Sequence, residues 1–375
     1  MRFLHTADWH LGRIFHQTHL TEDQDYVLQH LVELAVENKV DVVLISGDLY
    51  DRAVPAPEAV EVLDRVWQQL VLEHDIAVVA ISGNHDSGAR LGFGAALMRK
   101  AGLHVVTQLA DFPQAIVIDG VEIYALPYHE PNEVRAWLGD LTVTDHASAI
   151  QACLAQVPSR TKAGRPRLLL CHGFVEGMAE SDSERPLTVG GAASVPLGVF
   201  EGFDYVALGH LHAPQEVAAW CRYSGSPMKY SFSEVPHTKG VWVGEMSSSR
   251  VVEVEFLPLR SRKDVREVRG TLKEIVAAAK SDPTPEDYLR VILSDEGALF
   301  DAPGQLKQVY PNVLHIEREF LDGRLLQPEQ IQARRNLTEE QLFGDFWKAL
   351  FDEACSEEDL REFRSALATA REAES

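Results

Sequence analysis

Uninterrupted apolar runs alternate with amphipathic stretches through the first half of the chain. Residues 2–7 form a short extended run, and 40–46 and 76–82 are continuous apolar strands. Between them, residues 23–38 place Val27, Leu28, Leu31, Leu34 and Ala35 on one side of a helix, and 57–73 read as a second helix. Strands without polar alternation suit a sheet covered on both faces. After His104 the pattern changes. Residues 116–118 and 122–126 flank Asp119-Gly120, a hairpin signal. A helix is expected over 144–156, buried strands over 167–171 and 205–208, and a meander of short strands over 242–259. The pattern predicts an α/β fold, a two-sheet sandwich with outer helices.

The charged stretch 260–269 is a candidate boundary. Beyond it a helix is predicted over 272–280 and strands over 288–293 and 313–318, while 299–309 fits either state. That is enough for a small α+β domain. From Asn336 the chain reads as purely helical. Thr338 with Gln341 forms a capping-box signature ahead of an apolar stripe of Leu342, Phe343, Phe346, Trp347, Leu350 and Phe351. Ser356 with Asp359 opens a second helix carrying Leu360, Phe363 and Leu367. Such a pair either packs on its own protein or docks a partner. The expected domains are 1–262, 263–332 and 333–375.

Five of the strands share one design: each stops, and polar ligands follow. Asp8-Trp9-His10 follows the first, Gly47-Asp48 the second and Gly83-Asn84-His85-Asp86 the third. Cys171-His172-Gly173 and Gly209-His210-Leu211-His212 close the last two. In open α/β sheets functional sites lie beyond the carboxyl ends of strands. Carboxylates, imidazoles and one amide without a thiolate suit Mn²⁺, Fe²⁺ or Zn²⁺. Asp8-x-His10 and His210-x-His212 have the period-two spacing of extended backbone, and Gly47, Gly83 and Gly209 permit tight turns beside ligands. Seven ligands exceed the need of one ion and suit two ions sharing a bridge, an arrangement that stabilises both the attacking and the leaving oxygen of a displacement.

The string Asp-x-His, Gly-Asp, Gly-Asn-His-Asp, His-Gly, Gly-His-x-His resembles the calcineurin-type metallophosphoesterases. More narrowly, 6–12, 47–51, 83–87, 203–212 and 223–227 resemble the SbcD family of bacterial nuclease subunits. The resemblance is specific over the first two-thirds of the chain and architectural after it. It implies that Asp8, His10 and His212 hold one metal, that Asn84, His172 and His210 hold the other, and that Asp48 bridges them. His85 becomes the catalytic, non-ligand histidine. The ions are expected to be Mn²⁺. The implied activity is cleavage of DNA, as a double-strand exonuclease and a single-strand or hairpin endonuclease, in end processing, repair and recombination. The implied partner is an SbcC-like coiled-coil ATPase docked on 333–375, with the 263–332 domain capping the cleft and positioning DNA, and with a homodimer joining the assembly into a heterotetramer. Archaeal and eukaryotic relatives tend to carry histidine where this chain has Asp51, so DNA contacts there do not carry over. Two rivals are a phosphoesterase for small nucleotide esters and a non-catalytic assembly subunit.

Composition changes this picture in two places. The net charge of −22 runs against a nucleic-acid binder, since phosphate contacts supply most of such affinity. Bound divalent cations, or a partner's basic surface, would offset it. The four cysteines, Cys153, Cys171, Cys221 and Cys355, are scattered, which argues against a disulfide framework or a cysteine zinc site. No apolar run spans a membrane and the N-terminus leaves no room for a signal peptide, so a cytoplasmic protein is expected. His5 reads as a satisfied interior residue. His16, His19, His30, His74, His104, His146, His237 and His315 read as surface, and His129 as surface or cleft edge. Arg13, Arg52 and Arg90 follow metal motifs and are either phosphate contacts or solvated loop residues. Residues 223–234 form either a cleft rim or a structural hairpin.

Overall fold

The structure is a computed structural model. It describes residues 1–159, 164–185, 194–247, 252–295 and 299–319, and in the C-terminal stretch 338, 340, 341, 343, 344, 347, 348 and 353–373. The chain divides into two compact units, Met1–Val265 and Arg266–Ser375.

The first unit holds two six-stranded sheets. Its elements in chain order are β1 (Arg2–Thr6), α1 (Thr21–Glu37), β2 (Val42–Ser46), α2 (Pro57–Gln68), β3 (Ala77–Ile81), β4 (Leu103–Val106), β5 (Ile116–Ile118) and β6 (Val121–Leu126). They continue with α3 (Pro131–Leu138), α4 (His146–Leu154), β7 (Arg167–His172), β8 (Tyr205–Gly209), β9 (Gln215–Ala218), β10 (Cys221–Tyr223), β11 (Gly240–Met246) and β12 (Val252–Pro258). The first sheet runs β12-β11-β1-β2-β3-β4 and the second β9-β10-β8-β7-β6-β5. β1 to β4 are parallel neighbours, with Phe3 opposite Val42 and Val42 opposite Ala77. In the second sheet β6, β7, β8 and β10 are parallel.

The burial of both faces explains why these strands read as unbroken apolar runs. Alternate residues Phe3, Val42, Leu44, Val79 and Ile81 meet Ile123, Ala125, Leu168, Leu170 and Ala207 between the sheets. The intervening Leu4, Val43, Ile45 and Val78 pack outward under Leu28 and Leu31 of α1 and Val62 and Val66 of α2. On the far side Leu169, Cys171, Val206 and Leu208 pack under Val134 of α3 and Ala149 of α4. The architecture is thus helix, sheet, sheet, helix, as the pattern predicts.

Three local expectations change. The helix expected over 57–73 is α-helical only to Gln68 and ends in a π-helical turn, Gln69–Glu73. The meander over 242–259 is a pair of long antiparallel strands, β11 and β12. The ambiguous 299–309 stretch contains a short helix, Ala302–Lys307, with Asp301 accepting from the Gly304 N–H. The Asp119-Gly120 hairpin forms as expected; φ values of 45° and 80° give the turn its two left-handed positions.

In the second unit a three-stranded sheet, β13 (Val265–Gly270), β14 (Tyr288–Leu293) and β15 (Val313–Arg318), packs Leu289, Val291 and Leu293 against Leu272 and Ile275 of helix α5 (Leu272–Ala278) and Leu306 of α6 (Ala302–Lys307). Further on, Gln341 N–H donates to Thr338 and Asp359 N–H to Ser356, the two expected caps. Helix α7 (Glu357–Ala373) stacks Phe363 on Phe343 at 4.1 Å, and Arg364 donates twice to Glu340 at 2.8 Å. Of the apolar stripe, Leu342, Phe346, Leu350 and Phe351 lie outside the described residues.

His5 sits fully buried between the sheets, as expected of an interior residue. Its Nε2–H donates to the Leu208 carbonyl and its Nδ1 accepts from the Tyr205 hydroxyl, both at 3.1 Å. Burial lowers its pKa to about 3. An unfolded histidine titrates near ~6.5. Between those values only the unfolded chain takes up the proton, so His5 makes folding stability fall as pH drops from about 6.5 towards 3. Replacing His5 by Gln is expected to flatten that slope relative to wild type, which urea unfolding between pH 7 and pH 4 will measure.

Candidate metal centre

The five strand ends converge. β1, β2 and β3 bring Asp8, Asp48 and Asn84 to the same edge to which β7 and β8 bring His172 and His210. Backbone bonds zip the segments after β1 and β2 together. The Asp8 N–H donates to Gly47 O at 3.0 Å, His10 N–H to Asp48 O at 2.9 Å and Leu11 N–H to Leu49 O at 2.9 Å. These segments are not extended, so Asp8 and His10 converge by a route other than the period-two spacing expected of them. Asp8, His10, Asp48 and His210 have φ of 55°, 45°, 52° and 106°. Such left-handed backbone is costly for side chains with a Cβ and clusters at functional sites.

Glycine supplies the close approach of the two sheets. A Cβ on Gly209 would stand 1.9 Å from Ser46 O and 2.9 Å from His172 Nδ1. On Gly47, at φ 92°, it would stand 2.4 Å from His172 Nδ1. Gly209 thus serves contact between strands, while Gly47 serves both that contact and the left-handed turn expected of it.

The side chains converge in three overlapping groups whose ligand atoms lie within 4.8 Å of one another: Asp8, His10 and His212; Asp8, Asp48 and His172; and His10, Asp51 and His85. Asp8 is common to the first two groups, and Asp48 of the second also faces His10 of the first. Asp48 Oδ1 accepts the His85 backbone N–H at 2.8 Å, and its Oδ2 faces His172 Nε2 at 3.5 Å and His10 Nε2 at 3.7 Å. Asn84 Oδ1 lies 2.9 Å from His172 Nε2. His210 joins through its ring, 5.4 Å from that of His172, and its N–H donates to both oxygens of Asp8 at 3.0 Å. His85 is half-buried, edge-on to His10 at 4.6 Å.

Tautomers follow from the neighbours. His172 Nδ1–H donates to Ser46 O at 2.8 Å, and His85 Nδ1–H to Asp51 O at 2.9 Å. Each ring keeps an Nε2 lone pair for the cleft. His10 and His212 present their Nε2 atoms to each other at 3.1 Å, while His10 Nδ1, buried and without a hydrogen-bond partner among the described residues, faces Asp51 at 3.7 Å.

Electrostatics point the same way. Burial, then the charge of Asp48, drives the Asp8 carboxyl well above its usual range. Burial, then neighbouring imidazoles, holds His10 and His210 well below theirs, and burial lowers His172 despite the charge of Asp48. Crowded carboxylates and neutral imidazoles with inward lone pairs lack a positive charge that divalent cations provide. The residues present fit such ions.

Several contributors have no readable role in the sequence. Asp86 accepts from the Leu49, Tyr50 and Gly83 N–H groups, tying the β2 and β3 ends together, and burial with Asp48 raises its carboxyl to about 7. Its place in the Gly83-to-Asp86 string is the one signal available. Gln24 of α1 donates to Trp9 O and His10 O. Residues 223–231 are buried and structural, with Tyr230 OH donating to Trp9 O. Arg13 is committed to Asp51 at 3.0 Å and Ser183 O at 3.2 Å, whereas Arg52 and Arg90 are exposed. His30 and His146 depart from the surface expectation. His30 accepts the Arg260 N–H, and His146 stacks on Tyr128 at 5.7 Å, which stands edge-on to His172. Cys153, Cys171 and Cys221 are buried, unpaired thiols.

Because Gly209 has no room for a methyl group, Gly209→Ala is expected to separate β8 from Ser46 and displace His172. Overpacking of this kind costs about 1–3 kcal/mol. Urea unfolding together with calorimetric titration of Mn²⁺ will show both the lost stability and a weakened ion site.

Comparison with known proteins gives the same frame. A calcineurin-like phosphoesterase family model matches residues 1–214, and a model described as a type 5 capsule protein repressor C-terminal domain matches 261–350. The D subunit of nuclease SbcCD from Staphylococcus epidermidis is 34% identical over 323 residues, 86% of each chain. Its namesake in Staphylococcus saprophyticus is 32% identical over 355 residues, 94% of each. Likeness to solved structures is slight. The protein TT1561 of Thermus thermophilus has a TM-score of 0.38 at 15% identity, covering 68% of this chain and 98% of that one. A dimetal phosphatase from Danio rerio has 0.38 at 14%, covering 69% and 99%. With its two-sheet scaffold, its convergent Asp and His cluster and relatives that match along most of their length, the chain belongs to the calcineurin-like phosphoesterases, in the family of SbcCD nuclease D subunits, and is a metal-dependent phosphodiester hydrolase.

Proposed function

We propose that this chain cuts DNA, trimming double-stranded ends as an exonuclease and opening single strands or hairpins as an endonuclease, in partnership with an SbcC-like coiled-coil ATPase. The observation that carries the reading is the Asp48 carboxylate standing between His10 and His172, with Asp8 beside both. The relatives named as D subunits of nuclease SbcCD support the substrate class and the assembly. On this reading Asp8, His10 and His212 hold one ion, Asn84, His172 and His210 hold the other, and Asp48 is shared. The ions are Mn²⁺, which borderline imidazole and carboxylate donors suit. When bound, the two ions supply positive charge to the phosphate and activate water as the nucleophile.

The chain's own groups do the rest. Burial of the carboxylates and imidazoles excludes bulk water from their inner faces. His85, fixed by its Nδ1–H bond to Asp51 O, turns Nε2 to the cleft; the proton that Nε2 takes up when the ring becomes the imidazolium is the one that would pass to the leaving sugar oxygen. Exposed Arg52 and Arg90 are the arginines available to track flanking phosphates. Residues 263–332 act as the DNA-positioning cap and 333–375 as the partner dock, with 1–262 as the nuclease domain. Among the described residues no helix is long and apolar enough to cross a membrane.

The test uses end-labelled duplex and hairpin DNA with Mn²⁺, Mg²⁺ or EDTA, with and without the ATPase. Cleavage is expected with Mn²⁺ and absent in EDTA. His85→Ala is expected to lower the rate by about 10²–10⁴-fold, the usual worth of general acid catalysis, while still binding both ions. Intact DNA in every tube, alongside turnover of a chromogenic small diester, would assign the site to small phosphoesters instead.

A further inference from the structure

His212 is held from three sides. Its ring Nδ1 lies 2.6 Å from Ser183 Oγ, its backbone N–H donates to Glu184 Oε1 at 2.7 Å, and its carbonyl accepts from Lys239 Nζ at 2.6 Å. Ser183 Oγ in turn lies 2.5 Å from Glu234 Oε1. Glu234 is completely buried. Its oxygens also accept from the Lys239 ammonium, the Tyr230 N–H and the Ser231 hydroxyl. A carboxylate ringed by donors, one of them a cation, is an acceptor only. The Ser183 hydroxyl therefore gives its hydrogen to Glu234 and uses a lone pair to accept Nδ1–H from His212. That leaves the hydrogen off Nε2, the atom that faces His10 Nε2 at 3.1 Å.

We propose that Ser183 and Glu234 are positioning residues that lock His212 in its Nδ1–H tautomer and aim Nε2 at the ion shared with Asp8 and His10. One buried ion pair thereby governs both halves of His212: Glu234 reaches the ring through Ser183, and Lys239 holds the main chain. The same segment couples to the other side of the centre. Arg13 donates to Ser183 O and to Asp51, whose carbonyl accepts from His85 Nδ1. Among the described residues no side-chain relay of this kind holds His172, whose Nδ1–H goes to the main-chain carbonyl of Ser46. The inference rests on the metal-centre reading above, and it predicts an asymmetric effect. Loss of the Ser183 hydroxyl should weaken the ion held by His212 and spare the one held by His172, Asn84 and His210.

The experiment is Mn²⁺ titration of the full chain by calorimetry and by the EPR signal of bound ion, on wild type, Ser183→Ala, Ser183→Thr and His212→Ala. Metal-free melting and far-UV circular dichroism run alongside. Loss of an outer partner of a metal-bound histidine costs about 10–100-fold in affinity. Ser183→Ala is expected to lose that much for one ion, keep the other, and melt as wild type does. Ser183→Thr, which keeps the hydroxyl, is expected to restore the wild-type titration. Wild-type affinity for both ions in Ser183→Ala overturns the inference. Equal weakening of both ions with a lowered melting temperature also overturns it, since the segment would then be merely structural. If wild type binds fewer than two ions, or His212→Ala changes neither affinity, the metal-centre reading itself fails. Glu234→Gln is a secondary variant, because it strands Lys239 in the core.

Discussion

The metal centre depends on how closely β2 and β8 approach at Ser46. Its hydroxyl donates to Ala207 O at 2.9 Å, and its carbonyl accepts His172 Nδ1–H at 2.8 Å. One residue thus joins the two sheets and orients the His172 imidazole carried by the second of them. The approach requires bare backbone on the facing strand, which is what Gly209 provides. The inter-sheet core sets the spacing: Leu44 and Val42 from one sheet and Ala207 and Leu170 from the other fill the layer directly behind the site. Interiors pack as densely as organic crystals, so a change of volume in that layer is felt at the ligands rather than absorbed.

The parts of this molecule that read clearly in the sequence are those written in local pattern. Two-face burial makes β2, β3, β7 and β8 largely apolar runs, and the polar residues that end them stand out by contrast. The hairpin at Asp119-Gly120 and the caps at Thr338 and Ser356 are equally local, and the structure contains them. What the sequence hid is non-local or depends on backbone that no period describes. Asp8 and His10 converge through left-handed positions, not through strand spacing. Glu234 and Lys239 lie outside any regular element with periodic signal, and only the fold brings them to Ser183 and His212. His30 and His146 looked like surface because a single histidine in an amphipathic helix carries no sign of what packs over it. The π-helical end of α2 likewise has the composition of an ordinary helix.

The acidic composition and the proposed DNA substrate are reconciled at the scale of the site. Net charge describes solubility and long-range steering, whereas a phosphate in the cleft meets the local field. That field contains few ionised protein groups beyond the carboxylates, because burial keeps His10 and His210 neutral. Two divalent cations outweigh the carboxylates that hold them, so a loaded centre attracts a phosphodiester even on a chain of net charge −22. Away from the centre the arrangement is different. Arg266, Arg269 and Arg290 in the second unit are tied to Asp282, Glu319 and Glu317, which leaves their charge spent within the fold.

The left-handed residues show what the scaffold does for the chemistry. Asp8, His10, Asp48 and His210 each occupy backbone that costs of the order of 1–3 kcal/mol, and a free chain would relax out of it. Here they cannot relax. Asp8 and His10 are pinned by main-chain bonds to Gly47 and Asp48, Asp48 accepts from His85 N–H, and His210 N–H is taken by Asp8. Each strained residue is thus held by another member of the same cluster, and the cluster is anchored on strands buried on both faces. The contacts that order these side chains run among the chain's own groups. This is the physical reason to place rigid outer contacts, such as the one from Ser183 to His212, around a centre whose inner groups would otherwise repel one another.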